Sequence, residues 1–213
     1  MKIFNVVGDS NTGKTQLIQK LIQKLKGRCH SVGVVKLCSQ GFTVDPEGKD
    51  SWVFMESGAD VVAMISPDRF ALQKRGGEAP AQALAEKYFK ETDIIFIEGG
   101  RKEKGIKKIE VLRKGISEKL KCPPYDILAV VSDMDVKIDK PVFNPREIDE
   151  IADFLESVED YEEPQISLEI NGIPVSTNPF VQKIIKNIVS GITDSLDGIP
   201  KDPRCISLSV RKK

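Results

Sequence analysis

Residues 8–15, GDSNTGKT, follow a short apolar run at residues 3–7 and precede a stretch with helical periodicity. Two glycines, a lysine and a threonine at this spacing are typical of a phosphate-binding loop, whose backbone N–H groups surround the phosphates of a nucleotide. A chance match in a glycine turn is disfavoured, because the motif has the strand before it and the helix after it that it requires. The sequence therefore predicts that the chain binds a nucleoside triphosphate.

Every position of this loop is a candidate ligand for the nucleotide. The two glycines let the backbone curl, the lysine places its charge at the β- and γ-phosphates, and the threonine offers its hydroxyl to Mg²⁺. The N-terminal dipole of the following helix also favours an anion. The candidate residues are Gly8, Asp9, Ser10, Asn11, Thr12, Gly13, Lys14 and Thr15.

Composition narrows the classes of partner. Lys plus Arg and Asp plus Glu both number 32, so no overall field favours nucleic acid or an anionic membrane surface. No apolar run has the length of a spanning helix, and we expect a cytoplasmic protein. The four cysteines form no Cys-x-x-Cys pair and His30 is the single histidine, so metal-ligand spacing is absent and reduced, structural thiols are predicted.

Over about the first 160 residues, short apolar runs alternate with helical stretches. This pattern is typical of an α/β fold of the P-loop NTPase class, with a mostly parallel sheet flanked by helices. Strands are predicted at residues 3–7, 31–37, 61–66, 93–97 and 127–132. Helices are predicted from Asp50 or Ser51 to Gly58, over residues 80–90, and from the Asn144-Pro145 start signal to Leu155. Two more polar stretches, residues 69–75 and 106–113, are predicted as edge strands or a hairpin partner.

The remaining residues predict a small second unit. Residues 157–164 are acidic, lack periodicity and end in proline, which is typical of a linker, so we divide the chain into domains at residues 1–160 and 165–213. Asn171-Gly172 predicts a hairpin, residues 179–196 a helix, and residues 205–210 a strand. This small α+β appendage is near the lower size limit for independent stability, and we expect it to pack on the main domain or on a partner.

A second part of the site is predicted where residues 93–98 end. This apolar strand finishes in Glu98, followed by Gly99, and ligands of open α/β sheets bind at the carboxyl ends of strands. Glu98 is therefore expected to face the γ-phosphate and Mg²⁺, as a metal ligand together with Thr15. Gly99 is expected to bring a backbone N–H close to the terminal phosphate, where a side chain would clash.

Other polar residues each allow two interpretations. Asp50 either takes part in catalysis, by supporting Mg²⁺ or orienting the attacking water, or only caps a helix. Lys36 either points into the nucleotide crevice or is a solvated edge lysine. A basic stretch either binds an anionic substrate or partner or is a solvated face; it comprises Arg101, Lys102, Lys104, Lys107 and Lys108.

The order of these motifs resembles that of the molybdopterin-guanine dinucleotide biosynthesis protein B family, MobB, over about the first 155 residues. The motifs are GDSNTGKT, VK at a strand end, DPEGKDSW followed by SGAD, DIIFIEGGRK and KKIEVLR. The resemblance implies a GTP- and Mg²⁺-binding protein, usually a homodimer. It also implies that the protein assists a separate guanylyltransferase in attaching GMP to molybdopterin, which is itself a possible ligand. Within the family pattern, residues 8–15 bind phosphate, Glu98 is the strand-end acid, and Asp50 is the acid of a Gly-Lys-Asp motif.

The sequence also departs from the family pattern. Leu37, Cys38 and Ser39 stand where members commonly carry histidines. A guanine-reading Asn/Thr-Lys-x-Asp signature is missing, although residues 131–133 end a late strand where a base contact is expected. Guanine preference therefore comes from the resemblance alone.

The sequence is compatible with three functions. The first is an accessory protein of molybdenum or tungsten cofactor maturation with slow GTP hydrolysis, an adaptor and weak GTPase. The second is a kinase of a small metabolite, which needs a substrate base and an arginine-rich lid; no such lid is obvious. The third is a regulatory switch, in which residues 41–49 order around the γ-phosphate and the C-terminal unit docks a partner.

Overall fold

The computed structural model of the chain describes residues 1–76, 80–103, 105–159, 168–170, 173–175, 179–196, 198 and 206. Its strands and helices, in chain order, are β1 (Lys2–Val7), α1 (Lys14–Gly27), β2 (Val32–Lys36), α2 (Asp50–Glu56), β3 (Val61–Ile65), β4 (Phe70–Lys74), α3 (Ala81–Tyr88), β5 (Ile94–Glu98), β6 (Lys108–Leu112), β7 (Ile127–Ser132), β8 (Val142–Phe143), α4 (Ile148–Ser157), β9 (Leu168–Ile170), β10 (Ile173–Val175) and α5 (Pro179–Asp194). Within these residues, no helix combines the length and apolar character needed to cross a bilayer.

Six strands form one sheet in the order β2-β5-β1-β6-β7-β8. Every pair of neighbours in this sheet is parallel. Strand β1 lies between β5 and β6, and the apolar residues of β1 and β5 are buried because helices cover both faces of the sheet. The predicted α/β architecture with a mostly parallel sheet is confirmed.

Helices cover the sheet on both sides. Phe4 and Val6 of β1 pack with α1 and α4 in one apolar cluster. Ile3 precedes Phe4 in the strand, so its side chain points to the opposite face of the sheet, where it packs with α3 in a second cluster. On the first side, the guanidinium of Arg28 at the end of α1 bonds the Glu156 carboxylate of α4, which ties the two helices together.

Residues 106–113 were predicted to form an edge strand or a hairpin partner, and this prediction of their position in the sheet is wrong. Strand β6 is a central strand, between β1 and β7, and it is buried along its whole length. Its two charged residues suggested an exposed edge, but both are paired inside the protein. Lys108 Nζ lies 2.8 Å from Asp126 Oδ2, and the Glu110 carboxylate accepts the backbone N–H groups of Lys121 at 2.9 Å and Cys122 at 3.1 Å.

Residues 61–66 also differ from the prediction, because β3 does not join the parallel sheet. It pairs antiparallel with β4 in a separate hairpin, which confirms residues 69–75 as a hairpin partner. Alternate residues of the two strands turn away from α2, and four of these are large exposed apolar side chains, namely Val61, Ile65, Phe70 and Leu72. The hairpin therefore presents an apolar face, called here the hairpin face.

Three cysteines are free thiols, but only one is buried. Cys122 lies in an apolar cluster, and burial together with Glu110 raises the pKa of its thiol to about 11. Cys29 and Cys38 are exposed. A structural role is thus supported for Cys122 alone among these three.

The C-terminal elements agree with the sequence prediction where they are described. Strands β9 and β10 pair antiparallel, with Ile170 opposite Ile173 across residues 171–172. Helix α5 occupies most of the predicted helix and exposes Phe180, Ile184, Ile188 and Ile192. The predicted strand at residues 205–210 and most of the predicted linker lie outside the described residues, so the division into two domains stays a prediction.

Candidate functional site

The phosphate-binding loop leaves the central strand β1 and enters α1 at Lys14. Gly8 has φ 154° and lies against the neighbouring strand β6: a Cβ at this position would be 2.6 Å from the carbonyl oxygen of Val111. It would also lie 2.8 Å from Thr12 Oγ1. Gly13 has a φ of 97°. The glycines are therefore required by the backbone path and, at Gly8, by close packing.

One carbonyl oxygen organises the inside of this loop. The oxygen of Asp9 accepts hydrogen bonds from the hydroxyl of Thr12 at 3.0 Å and from Lys14 Nζ at 2.7 Å. Thr12 is buried, whereas Ser10 and Asn11 are exposed at the loop's apex. Lys14 is thus held across the mouth of the loop, where a phosphate can replace the carbonyl as its partner.

Thr15, Glu98 and Lys36 meet at the carboxyl ends of β5 and β2. The hydroxyl of Thr15 donates to Glu98 Oε1 at 2.8 Å, and Lys36 Nζ lies 3.8 Å from the same oxygen. Only 11% of the Glu98 side chain is exposed. A hydroxyl and a carboxylate supply the oxygen ligands that Mg²⁺ prefers, so this donor set fits the cation that the sequence predicts.

The carboxylate of Asp9 is paired with two cations. Arg101 Nη2 lies 2.9 Å and Lys121 Nζ 2.5 Å from the carboxylate of Asp9. Together with a hydrogen bond from Ser117, these two cations hold the pKa of Asp9 well below its usual range. Burial lowers the pKa of Lys14, an effect that the nearby Glu98 carboxylate opposes.

The predicted approach of Gly99 to the terminal phosphate stays a prediction. Its backbone N–H donates to the carbonyl oxygen of Val6 at 3.0 Å, so it is engaged within the sheet in this conformation. Gly99 has a φ of 91°, and an added Cβ would lie 3.4 Å from the carbonyl oxygen of Leu37. The backbone conformation and this contact are enough to account for a glycine here, whether or not a phosphate is bound.

The structure does not bring Asp50 to the phosphate-binding loop. Helix α2 begins at Asp50 with Lys49 in the N-cap position, so Asp50 is not the cap residue either. Asp50 lines an open cavity with Phe54 and Met64, beside β3, which shares no lining residue with the cavity at the loop. A catalytic role for Asp50 would require this segment to rearrange.

A cavity of about 410 Å³ lies beside the phosphate-binding loop, between α1 and the ends of β6 and β7. Thr12 and Gly13 line it on the loop side, and Asp133 and Asn144 line it on the other. Asp133 Oδ1 accepts the backbone N–H of Lys114 at 2.8 Å. The segment predicted to contact a base, residues 131–133, therefore reaches this cavity.

Sequence reasoning missed Lys121 and Arg113. Lys121 binds Asp9, and Arg113 Nη1 would lie 3.6 Å from a Cβ placed on Gly13. No local motif marks either residue, because both reach the loop only through the placement of β6 beside β1. Of the predicted basic stretch, Arg101 contacts the loop, Lys108 is buried against Asp126, and Lys104 lies outside the described residues.

Known proteins are similar to this chain in sequence and in fold. A family model described as molybdopterin guanine dinucleotide synthesis protein B matches residues 3–133. The molybdopterin-guanine dinucleotide biosynthesis adapter protein of Haemophilus influenzae is 33% identical over 162 residues, which are 73% of this chain and 88% of that protein. Its counterpart in Escherichia coli K12 is 32% identical over 152 residues, 68% of this chain and 86% of that protein. A crystal structure of molybdopterin-guanine biosynthesis protein B (mobB) matches with a TM-score of 0.56 at 30% identity, covering 73% of this chain and 98% of the other.

Proposed function

The chain belongs to the molybdopterin guanine dinucleotide synthesis protein B (MobB) family, and we propose that it is a GTP-binding adapter that assists attachment of GMP to molybdopterin by a separate guanylyltransferase. The observation that best supports GTP binding is the hydrogen bond between Thr15 and Glu98, which lies beside the loop lysine Lys14. This arrangement joins a phosphate-binding loop to a pair of cation ligands, as a Mg²⁺-nucleoside triphosphate requires.

Each part of the site has a distinct task in this proposal. The loop amides and Lys14 bind the phosphates, and Thr15 and Glu98 would hold Mg²⁺. A Mg²⁺ ion held there would supply positive charge to the bound phosphates. Lys36, which is 60% exposed at the end of β2, is placed to approach the terminal phosphate from the edge of the sheet.

We expect hydrolysis to be slow. Fast GTP hydrolysis needs a residue that positions the attacking water. Glu98 is committed to Thr15 and the cation, and Asp50, the other predicted catalytic acid, lies in a separate cavity. A weak GTPase that acts by binding suits the adapter role better than an enzyme of high turnover, although turnover with added small metabolites tests the alternative of a kinase.

The cavity between α1 and β7 supports a place for the base. Asp133 Oδ1 is bonded to Lys114, which leaves Oδ2 to accept hydrogen bonds. The N1–H and amino group of guanine are donors that a carboxylate can accept, whereas adenine has no N1–H. Guanine preference is part of the proposal, and parallel titrations with GTP and ATP test it directly.

Replacing Lys14 by alanine tests nucleotide binding. We expect affinity for GTP to fall about ten- to a hundredfold, because one charge-assisted contact to phosphate is removed. Isothermal titration calorimetry with Mg²⁺ measures this, and circular dichroism checks that the fold is intact. Lys26→Ala, which removes the same charge from the exposed far end of α1, should bind as wild type does. Wild-type affinity in a folded Lys14→Ala variant would show that the loop does not bind phosphate.

A homodimer is part of the proposal, and the hairpin face supports it. An isolated two-stranded hairpin is marginally stable in water, and this one carries exposed Ile65 and Phe70 at 81% and 66% of their full accessibility. A second copy of the chain, presenting the same face, would cover both side chains in a two-fold contact. The cytoplasmic location expected from the absence of a long apolar run stays a prediction.

Removing residues 164–213 tests the separate role of the C-terminal unit. We expect unchanged affinity for GTP, because the described residues of the phosphate site and of the adjoining cavity all lie before residue 147. We expect lost binding to the guanylyltransferase, since α5 exposes a row of large apolar residues including Phe180 and Ile188. Calorimetry and light scattering measure affinity and mass. Lost GTP binding in a folded truncation would show instead that this unit helps to build the site.

A further inference from the structure

We propose that Arg101 senses the terminal phosphate: its guanidinium exchanges the Asp9 carboxylate for the γ-phosphate of bound GTP. This inference rests on the proposed function, since it assumes GTP in the phosphate-binding loop. It assigns to one residue the discrimination between GTP and GDP, which an adapter needs if its action depends on the nucleotide state.

The position of Arg101 carries the first step. It lies three residues after Glu98, at the end of the site where Thr15 and Glu98 are placed to hold the cation at the β- and γ-phosphates. Its Nη2 binds Asp9 Oδ1 at 2.9 Å, within the loop itself. Any movement of the guanidinium from the Asp9 carboxylate towards the phosphates is therefore short.

A spare donor carries the second step. Arg101 Nε is buried and has no hydrogen-bond partner among the described residues. A buried N–H without a partner costs stability, so the side chain holds a donor that an additional acceptor would satisfy. The planar fork of a guanidinium matches two phosphate oxygens, which gives Arg101 more to gain from a phosphate than a lysine would.

The charges around the loop carry the third step. Lys14, Lys36, Arg101 and Lys121 lie around the carboxylates of Asp9 and Glu98, so cations outnumber anions in this group of residues. Arg101 and Lys14 both bind Asp9, since the guanidinium of Arg101 binds its carboxylate and Lys14 Nζ donates to its carbonyl oxygen. A phosphate bound at Lys14 therefore lies within the field of Arg101, and its negative charge also weakens the hold of Asp9 by repulsion.

Lys121 provides a matched comparison. It binds the same carboxylate, Asp9, at 2.5 Å and is 47% exposed. It comes from the segment after β6, on the opposite side of β1 from Glu98. Loss of Lys121 therefore removes support from Asp9 without removing a group that reaches the γ-phosphate.

The experiment compares GTP and GDP, each with Mg²⁺, by calorimetry in four proteins: wild type, Arg101→Ala, Arg101→Lys and Lys121→Ala. We expect Arg101→Ala to lose about tenfold or more in affinity for GTP and little for GDP, because one charge-assisted contact exists only with the γ-phosphate. Arg101→Lys should recover part of this loss. Lys121→Ala should change both affinities by the same factor.

Equal losses for GTP and GDP in Arg101→Ala, or a pattern identical to that of Lys121→Ala, would overturn the proposal and leave Arg101 as a support of Asp9. If Arg101→Ala does not fold, Asp9→Asn gives the second measurement. It releases Arg101 without removing it and should raise the ratio of GTP to GDP affinity, so an unchanged ratio also overturns the proposal. Wild-type protein that binds neither nucleotide would refute the proposed function itself, whereas GDP and GTP bound equally by wild type refute only the sensor.

Discussion

We expect replacement of Gly8 by alanine to abolish nucleotide binding and to lower the free energy of unfolding by roughly 3 kcal/mol, a large cost for a single methyl group. The added Cβ would lie 2.6 Å from the carbonyl oxygen of Val111 in the central strand β6. Because the clash is with a backbone atom of a buried strand, no side-chain rotation relieves it. The loop has to move away from β6, and its amides then lose their common direction. Urea denaturation and GTP titration measure the two effects.

Gly115→Ala is the control for this experiment. Gly115 also has a positive φ, 76°, but no atom of the described residues lies within 4 Å of the position that an added Cβ would take. Only the cost of the left-handed backbone remains, about 1 kcal/mol, and nucleotide binding should persist. If Gly8→Ala binds GTP with wild-type affinity, the loop tolerates displacement from β6 and the close packing at Gly8 has no functional purpose.

We expect replacement of Glu98 by glutamine to reduce the proposed Mg²⁺-dependent GTP hydrolysis about a hundredfold or more and to change the affinity for GTP much less. Glutamine keeps an oxygen that can accept the hydrogen bond from the hydroxyl of Thr15, and it leaves the loop amides in place. It removes the negative charge that would hold the cation beside the terminal phosphate. Single-turnover hydrolysis and calorimetry, each over a range of Mg²⁺ concentrations, separate the two quantities.

Glu103→Gln is a suitable comparison, because this carboxylate lies in the same segment but accepts the backbone N–H of Ala81, away from the loop. It should leave hydrolysis unchanged. Equal losses of affinity and hydrolysis in Glu98→Gln would instead indicate that Glu98 mainly fixes the position of Thr15.

The sequence predicts the phosphate-binding loop and Glu98 well because both depend on local geometry. A strand, a turn and a helix are continuous in the chain at residues 3–25, and Glu98 is the last residue of a buried apolar strand. The hairpin partner of residues 61–66 is also a neighbour in sequence. Interactions of this kind can be inferred from spacing alone.

Predictions that depend on distant pairing failed, and β6 shows why. Lys108 and Glu110 alternate with apolar residues, which is typical of an exposed edge strand. The structure buries both, because Asp126 and the backbone N–H groups of residues 121 and 122 satisfy them from another part of the chain. Neither partner can be recognised before the order of the strands is known. Arg113 and Lys121 were missed for the same reason.

The two sides of the nucleotide site are not equally constrained, because the Glu110 carboxylate accepts hydrogen bonds from the backbone N–H groups of residues 121 and 122 on one side only. On the side of β6, the returning chain is fastened to a central strand, and Lys121 extends from it to Asp9. On the other side, β2 is the edge of the sheet, and exposed residues follow Lys36 towards α2 and the hairpin face. We therefore expect a change of nucleotide to leave the first side in place and to displace the second. The hairpin face, which we propose as the contact with a second subunit, would then change position with the bound nucleotide, although none of its residues belongs to the phosphate site.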